Sequence, residues 1–540
     1  MEHIEKTLRA LATPIAGLSV VGAVVLLYSW DWPGSRRSDM PPGPRPLPII
    51  GNLHNLKTIN VYEQFRQLSR KYGPIVSLKI GSNTLILLGG DGSHVRELYD
   101  KRGNIYSGRP LEMVTEITGS GDNILFQQDI HKWRAGRKQI VRHFAPAVMK
   151  RENVTLQEAE SVQLLYEFLH QPEGFMNHPM RYTTSVITCL LYGVRCKSYH
   201  DPIIQEVEKT MRALSDLLVP GGKPPVEVFP VLNYLPGFIS PWKDKCRKLA
   251  KRMDILYGGL ADIGVRRGMQ GLNTNNLAYK LRVGNESAGL TCHQQALICA
   301  VALEGGTDIV AGVILACLLA LINHPTTQKR AHDELDALYN EETLPRWEDE
   351  QSLPFVRAII KETMRWRPPL PMTVAHRLEK DDYYEGYFLP KDSQLFCVAW
   401  TIHTDIERYK EPELFKPERF LNHSMSMAES LAQGDPLKRD HFAFGAGRRV
   451  CPGIQKAEQD IFIAVSRLLW AFNFSAPTGV SVSTDYSTAF AGEGIRIPKK
   501  FPLVVTPRSH KRVRTIEEAM HSAEETFSQY GKYVPTVLLD

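Results

Sequence analysis

Disulfide chemistry is absent from this sequence. Its eight cysteines, spread over 540 residues, include no C-x-x-C pair and no zinc-ligand spacing. That excludes a disulfide framework or a zinc-knit domain and fits a reducing compartment. The net charge of +6 is small for this length, and the lysines and arginines form no stripe with interleaved aromatics, so nucleic acid is not an expected partner. No dinucleotide fingerprint is present either. Gly445-Ala446-Gly447 comes nearest, but it lacks a third glycine and an acid about 20 positions on, so the chain binds no nicotinamide cofactor of its own. Internal repeats and low-complexity tracts are missing, which excludes a solenoid or a disordered array. What remains, 43% hydrophobic and 23% charged, is the composition of a globular protein. Length alone allows two or three domains; the motifs described below argue for one.

Residues 11–30 carry no charged side chain. Twenty residues of helix span about 30 Å, the thickness of a bilayer's hydrocarbon core. Tyr28, Trp30 and Trp32 close the segment as an interfacial belt would, whereas a cleaved signal peptide has an apolar core of only about 7 to 15 residues. The segment therefore reads as a retained transmembrane anchor behind a short N-terminal segment, 1–10. Residues 31–50 read as a hinge, because Pro41-Pro42-Gly43-Pro44-Arg45-Pro46-Leu47-Pro48 favours extended backbone without internal hydrogen bonds. Residues 71–89 alternate apolar and polar positions and predict hairpin strands, and most of 130–370 reads as helices. The longest helix is expected from the T-x-x-Q capping box at Thr291-Cys292-His293-Gln294 to Asn323-His324-Pro325. Gly305-Gly306 falls in its middle at a cost of about 1 kcal/mol per glycine relative to alanine, so something flat is expected to pack there. In the tail, 509–540, Thr515-Ile516-Glu517-Glu518 is placed to cap a short amphipathic helix, with no sign of chemistry.

The most specific pattern is Phe444-Gly445-Ala446-Gly447-Arg448-Arg449-Val450-Cys451-Pro452-Gly453. A cysteine in a glycine-rich turn, with an arginine two residues before it, can hold a thiolate against a flat anionic cofactor while loop N–H groups tune the sulfur. A buried structural cysteine is the alternative reading. The pattern F-x-x-G-x-R-x-C-x-G resembles that of the cytochrome P-450 superfamily, and the resemblance runs from about residue 41 to 508. It implies a mainly α fold with a small β region, a single haem-thiolate domain at 51–508 behind the anchor. It also implies haem b (iron protoporphyrin IX) with Cys451 as axial ligand to the metal and Phe444 in the same socket. Trp133 and Arg137 match the family's W-x-x-x-R pair, which together with Arg449 would meet the haem propionates; His376 stands where many members offer a further contact, although a merely satisfied histidine fits it too. Glu362, Arg365 and Arg419 match the family's E-x-x-R and P-E-R-F motifs, a buried structural triad.

The chain departs from that family in the long helix. Members commonly place an acid and a threonine there to relay protons, but this sequence reads Gly305-Gly306-Thr307-Asp308-Ile309. Asp308 supplies the acid, and Ile309 stands in the threonine position. A two-residue shift turns a side chain about 200° around a helix, so Thr307 is not expected to stand in. The resemblance implies a monooxygenase that oxygenates a lipophilic small molecule, in the manner of filamentous-fungal secondary-metabolism members. Electrons would come from NADPH–cytochrome reductase, with cytochrome b5 as a further partner, docking on Arg134, Lys138, Arg142, Lys438, Arg439, Arg448 and Lys456. The expected location is the endoplasmic reticulum membrane, single-pass, with the catalytic domain in the cytosol. Segments 112–126, 305–309, 370–374 and 490–495 are expected to assemble the substrate pocket. Two rivals stay open: a haem-thiolate isomerase, lyase or oxidative-coupling enzyme that does without the threonine, and a haem sensor without turnover.

Overall fold

The computed structural model describes residues 34–219, 221–284 and 289–532; the segments 1–10 and 11–30, and the end of the tail, lie outside them. Helices enclose one large apolar core, and a small four-stranded sheet flanks it, so the fold is mainly α with a small β region. The sheet starts with the antiparallel hairpin Ile75–Ile80 and Asn83–Leu88. Gln394–Cys397 runs parallel to the second strand, and the short strand His376–Arg377 closes the edge. The hairpin begins later than the alternation suggests. A helix, Val61–Tyr72, occupies its expected start and stops at Gly73, whose φ of +108° no side chain favours. The proline run lies along the first strand: Ser77 donates its N–H to the Pro42 carbonyl at 2.9 Å and its hydroxyl to the Pro41 carbonyl at 2.5 Å.

The central helix starts where the capping box places it. Gln294 N–H donates to Thr291 Oγ1 at 3.1 Å, and Thr291 N–H donates to Gln294 Oε1 at 3.0 Å. From Cys292 to Asn323 it is long and apolar enough to cross a membrane, but its most apolar stretch is 72% buried by the protein, which makes it the core helix. The rod is not continuous. It divides into Cys292–Gly306 and Asp308–Asn323, with Thr307 between them at φ −99° and ψ −84°. The break directly follows the glycine pair, where backbone freedom is greatest.

Pro354–Trp366 carries the charged lock. Glu362 and Arg365 are fully buried and joined by two 2.7 Å bonds. Arg419 reaches Glu362 at 3.4 Å, while Arg365 also donates to the His403 and Pro412 carbonyls. With every partner supplied, the cluster pins the Pro412–Arg419 stretch to this helix.

The tail forms a nineteen-residue helix, His510–Ser528, longer than expected and capped earlier, by Ser509 rather than Thr515. Thr515 lies inside it and spends its hydroxyl on the Glu341 carbonyl. Ile516, Ala523 and Phe527 are buried on the face that packs against the helix Val154–His170.

Candidate functional site

Cys451 sits one turn before the buried helix Ile454–Ala471, with its N–H on the Phe444 carbonyl at 3.0 Å. Burial pushes its thiol up; the Gly453 N–H and the Arg137 charge oppose that shift, as a helix N-terminus should for a sulfur asked to ionise. The glycines serve the loop's own packing. A Cβ on Gly447, at φ +68°, would stand 2.2 Å from the Tyr99 carbonyl oxygen, and the Gly447 N–H donates to Asp100 at 2.7 Å. Phe444, half-buried, packs on His441 at 5.9 Å between ring centroids.

Around the loop stand three arginines whose charges are not met by acids. Arg449 donates to the Ser107 and Gln127 carbonyls and stacks its guanidinium 4.2 Å from the Trp133 ring, yet its buried Nη1 has no partner among the described residues. Glu379, the acid that acts on Arg449, is itself paired with Arg377 at 3.3 Å. Burial, with Arg109 and Arg137 nearby, depresses Arg449 to about 9. Arg137 donates to the Val450 carbonyl at 2.5 Å and lies 5.6 Å from the Trp133 ring. Arg109, buried and held down to about 10 by desolvation, donates to the Leu125, Val374 and Ala375 carbonyls. One buried and two half-buried cations facing carbonyls call for an anion with two or more charges, which the carboxylates of a flat macrocycle can supply.

His376 is buried and stacked on Tyr99 at 4.0 Å. Its Nδ1 donates to the Tyr106 carbonyl at 2.8 Å, and burial with the Arg109 and Arg449 charges holds the ring neutral. Neutral His376 therefore offers Nε2 only as an acceptor, and it can bond a carboxylate only after taking a second proton.

The opposite wall is the break in the central helix. A Cβ on Gly305 would meet nothing within 4 Å, whereas one on Gly306 would press on Ile187 at 3.2 Å, so one glycine of the pair faces open space and the other packs against a helix. Lys456, on the first turn after the cysteine loop, donates to the Gly306 carbonyl at 3.4 Å and ties the two walls together. Asp308 is largely buried and raised to about 6 by desolvation and by Glu208. Thr307 donates to Asp308 Oδ1 and to the Glu304 carbonyl, each at 3.3 Å, and is 1% exposed. The helical rotation expected to separate Thr307 from its neighbour does not apply at a broken residue; its burial is what keeps it from the open side. Ile309, half-buried, brings no polar group.

The structure groups Trp133, Arg137 and Arg449 beside the loop that carries Phe444 and Cys451, and adds Arg109, which no local pattern marks. Two of the seven basic residues expected on a docking face are spent inside: Arg439 pairs with Asp100 at 2.5 Å, and Lys456 pairs with Asp460 at 2.6 Å. Arg134, Lys138, Arg142, Lys438 and Arg448 are exposed.

Comparison with known proteins agrees with this arrangement. The cytochrome P-450 family model matches residues 41–503. The cytochrome P-450 monooxygenase yanC of Aspergillus niger is 36% identical over 91% of this chain and 94% of its own length. The monooxygenase patH of Aspergillus clavatus is 34% identical over 96% and 99%. A zebra fish cytochrome P-450 solved with abiraterone superposes at a TM-score of 0.65, with 25% identity, over 83% of this chain and 100% of that one. The chain thus belongs to the cytochrome P-450 family, the haem-thiolate monooxygenases.

Proposed function

We propose that this monooxygenase inserts oxygen into a lipophilic small molecule, as part of fungal secondary metabolism, with electrons taken from NADPH through a membrane reductase and with cytochrome b5 as an auxiliary donor. Cys451 would hold the iron of haem b through its sulfur, and Arg109, Arg137 and Arg449, the latter two beside Trp133, would meet its carboxylates. The observation that carries this reading is the trio of arginines beside the Cys451 loop, Arg109 buried and Arg137 and Arg449 half-buried, which face carbonyls rather than acids, because such a set is costly until an anion meets it. When bound, a thiolate-ligated haem supplies the activation of dioxygen. The residues of this chain supply the rest. The Gly453 N–H steadies the sulfur, the open face at Gly305 leaves room for a small oxidant, and Asp308 holds a proton near it.

A membrane location has support of its own. Tyr234 and Phe238 are 87% and 88% exposed, and Val231 and Ile239 flank them. The next helix, Trp242–Met253, buries Trp242, Cys246, Leu249 and Met253 and turns Lys245, Arg247, Lys248 and Lys251 outward. An apolar knob beside a basic face suits the surface of an anionic bilayer, in keeping with an endoplasmic reticulum membrane protein anchored by residues 11–30, with its catalytic domain in the cytosol.

Ile309 favours one second reading, an isomerase or oxidative-coupling reaction that needs no proton relay at that position. Labelled dioxygen separates the two: incorporation of label into product, with NADPH and reductase present, is the monooxygenase outcome, and conversion of a hydroperoxide without either is the other. For the ligand itself, Cys451→Ala should abolish the long-wavelength Soret band of the reduced carbonyl complex. An unchanged band in that variant would overturn the assignment.

A further inference from the structure

Glu304, a half-buried carboxyl near the end of the first half of the central helix, is left unused by the scheme above. It directly precedes Gly305, where a Cβ would meet nothing within 4 Å, and Asp308 lies four residues on, across the break at Thr307, close enough for its charge to act on Glu304. Its Oε1 accepts a 2.6 Å bond from the Tyr257 hydroxyl. Tyr257 in turn lines a cavity of about 180 Å³ on the outer side, walled by Asp254, Asp262, Arg282, Cys292 and His293. That volume holds several waters, with those polar side chains set among apolar walls from Met253, Ala261, Ala296 and Leu297. The site thus has an open face on one side and a water-sized cavity on the other, with one tyrosine and one carboxyl between them.

We propose that Tyr257 and Glu304 form a proton route from this cavity to Asp308, in place of the hydroxyl missing at Ile309. The inference rests on the monooxygenase reading above. Turnover of that kind takes up two protons with the two electrons, because one atom of dioxygen leaves as water. Asp308 gives its proton at the oxygen site, and Glu304 returns one to Asp308. The Tyr257 hydroxyl passes its proton to Glu304 while accepting another from cavity water, so no tyrosinate accumulates and every group regains its starting state. Glu304 and Tyr257 act through Asp308 and are positioning residues.

The surroundings suit a carboxyl that gives and takes a proton near neutrality. Burial and the Asp308 charge raise Glu304 to about 7, against the Tyr257 bond that lowers it. Glu208 faces Asp308, and Tyr199 donates to Glu208 at 3.0 Å. Tyr192 is the other phenol whose field includes Glu304. The nearby cation Lys456 is taken up by Asp460 and the Gly306 carbonyl. At the cavity, His293 is clasped by Asp122 at 3.2 Å and Asp254 at 3.3 Å.

The test uses the haem-loaded full chain, first without reductase. Infrared titration of the wild type should show protonated-carboxyl absorption that disappears as pH rises through about 7; Glu458 is raised to the same interval, so the Glu304 band is the part that Glu304→Gln removes in the difference spectrum. With reductase, NADPH and oxygen but no organic substrate, wild-type oxygen consumption should fall across the same interval. Glu304→Gln should lose that pH limb and run about 10²-fold slower, the low end of what a positioned proton donor contributes. Tyr257→Phe, which deletes one hydroxyl and is the safer variant for folding, should keep the infrared band and slow consumption with a larger solvent deuterium effect. An infrared titration unchanged in amplitude by Glu304→Gln, a pH limb that survives it, or a Tyr257→Phe rate equal to wild type would each overturn the route. Wild type that consumes no NADPH or oxygen at all would instead fail the monooxygenase reading, and the infrared titration would still decide whether Glu304 holds the proton.

Discussion

Arg449 is poised between two costs. Among the described residues its buried Nη1 has no partner, and two other depressed arginines lie beside it, a cost that a bound carboxylate would relieve. Arg449→Leu should therefore act in opposite directions on the two forms. It should raise the Tm of haem-free protein, because one of three repelling cations is gone, and weaken haem retention by roughly tenfold or more, the equivalent of about 1.5 to 3 kcal/mol for a hydrogen bond to a charged group. Haem transfer to apomyoglobin measures the second effect and thermal melting the first. Glu304 gives a residue-scale prediction in stability. Its folded value, about 7, lies above that of an ordinary carboxyl, so the native state holds the extra proton; the stability this gives is fully present below about pH 4.5 and is lost as pH rises through 7. Glu304→Gln escapes the loss and should melt above wild type at about pH 8, by at most on the order of 3 kcal/mol, with the gain vanishing toward about pH 4.5. Cys451, Arg449, Trp133 and Arg137 could be found in the sequence because each belongs to a short fixed spacing. Arg109 and Tyr257 could not, since their partners are remote: Val374 and Ala375 for the arginine, Glu304 for the tyrosine.

Elements were legible where one local signal fixed an end. The Thr291 capping box placed the start of the central helix, and His324-Pro325 its finish, but the break at Thr307 depends on what packs beside Gly306 and was not foreseen. The tail was misread for a related reason. Thr515-Ile516-Glu517-Glu518 has the form of a cap, yet Ser509 caps first, and the buried positions Ile516, Ala523 and Phe527 share one face only if the helix is long. That face is more than decoration. Phe527 lies under Arg195, 3.3 Å from the guanidinium to the ring centre, and Gly531 pairs with Gly193 beyond it. Arg512 and Arg508 both hold Asp336. Ile516→Ala, at a fully buried site, should cost about 2 to 5 kcal/mol by cavity formation while leaving the carbonyl Soret band in place, because the helix lies outside the haem socket. A denaturant midpoint for that variant equal to wild type would mean that the tail helix carries no stability.

For the whole molecule, the apolar knob at Val231, Tyr234, Phe238 and Ile239 changes what removal of the anchor should do. These side chains find no apolar cover among the described residues, and the basic face of Trp242–Met253 follows them in the chain. If both meet a bilayer, the catalytic domain has a contact of its own, and a chain lacking residues 1–30 should still partition onto anionic vesicles. Full burial of one large apolar side chain is worth about 1.5 to 3 kcal/mol, so Phe238→Glu in that shortened chain should lower the vesicle-bound fraction constant roughly tenfold or more. Raised salt should weaken binding further by screening Lys245, Lys248 and Lys251 from the headgroups. The same substitution in the full chain should leave membrane sedimentation unchanged, since a transmembrane helix holds far more strongly than a surface patch. Vesicle flotation of the four proteins, anchored and shortened, with and without the glutamate, measures both steps. A shortened chain that stays wholly in solution with its Phe238 intact would assign the knob to contact with a protein instead of a lipid surface.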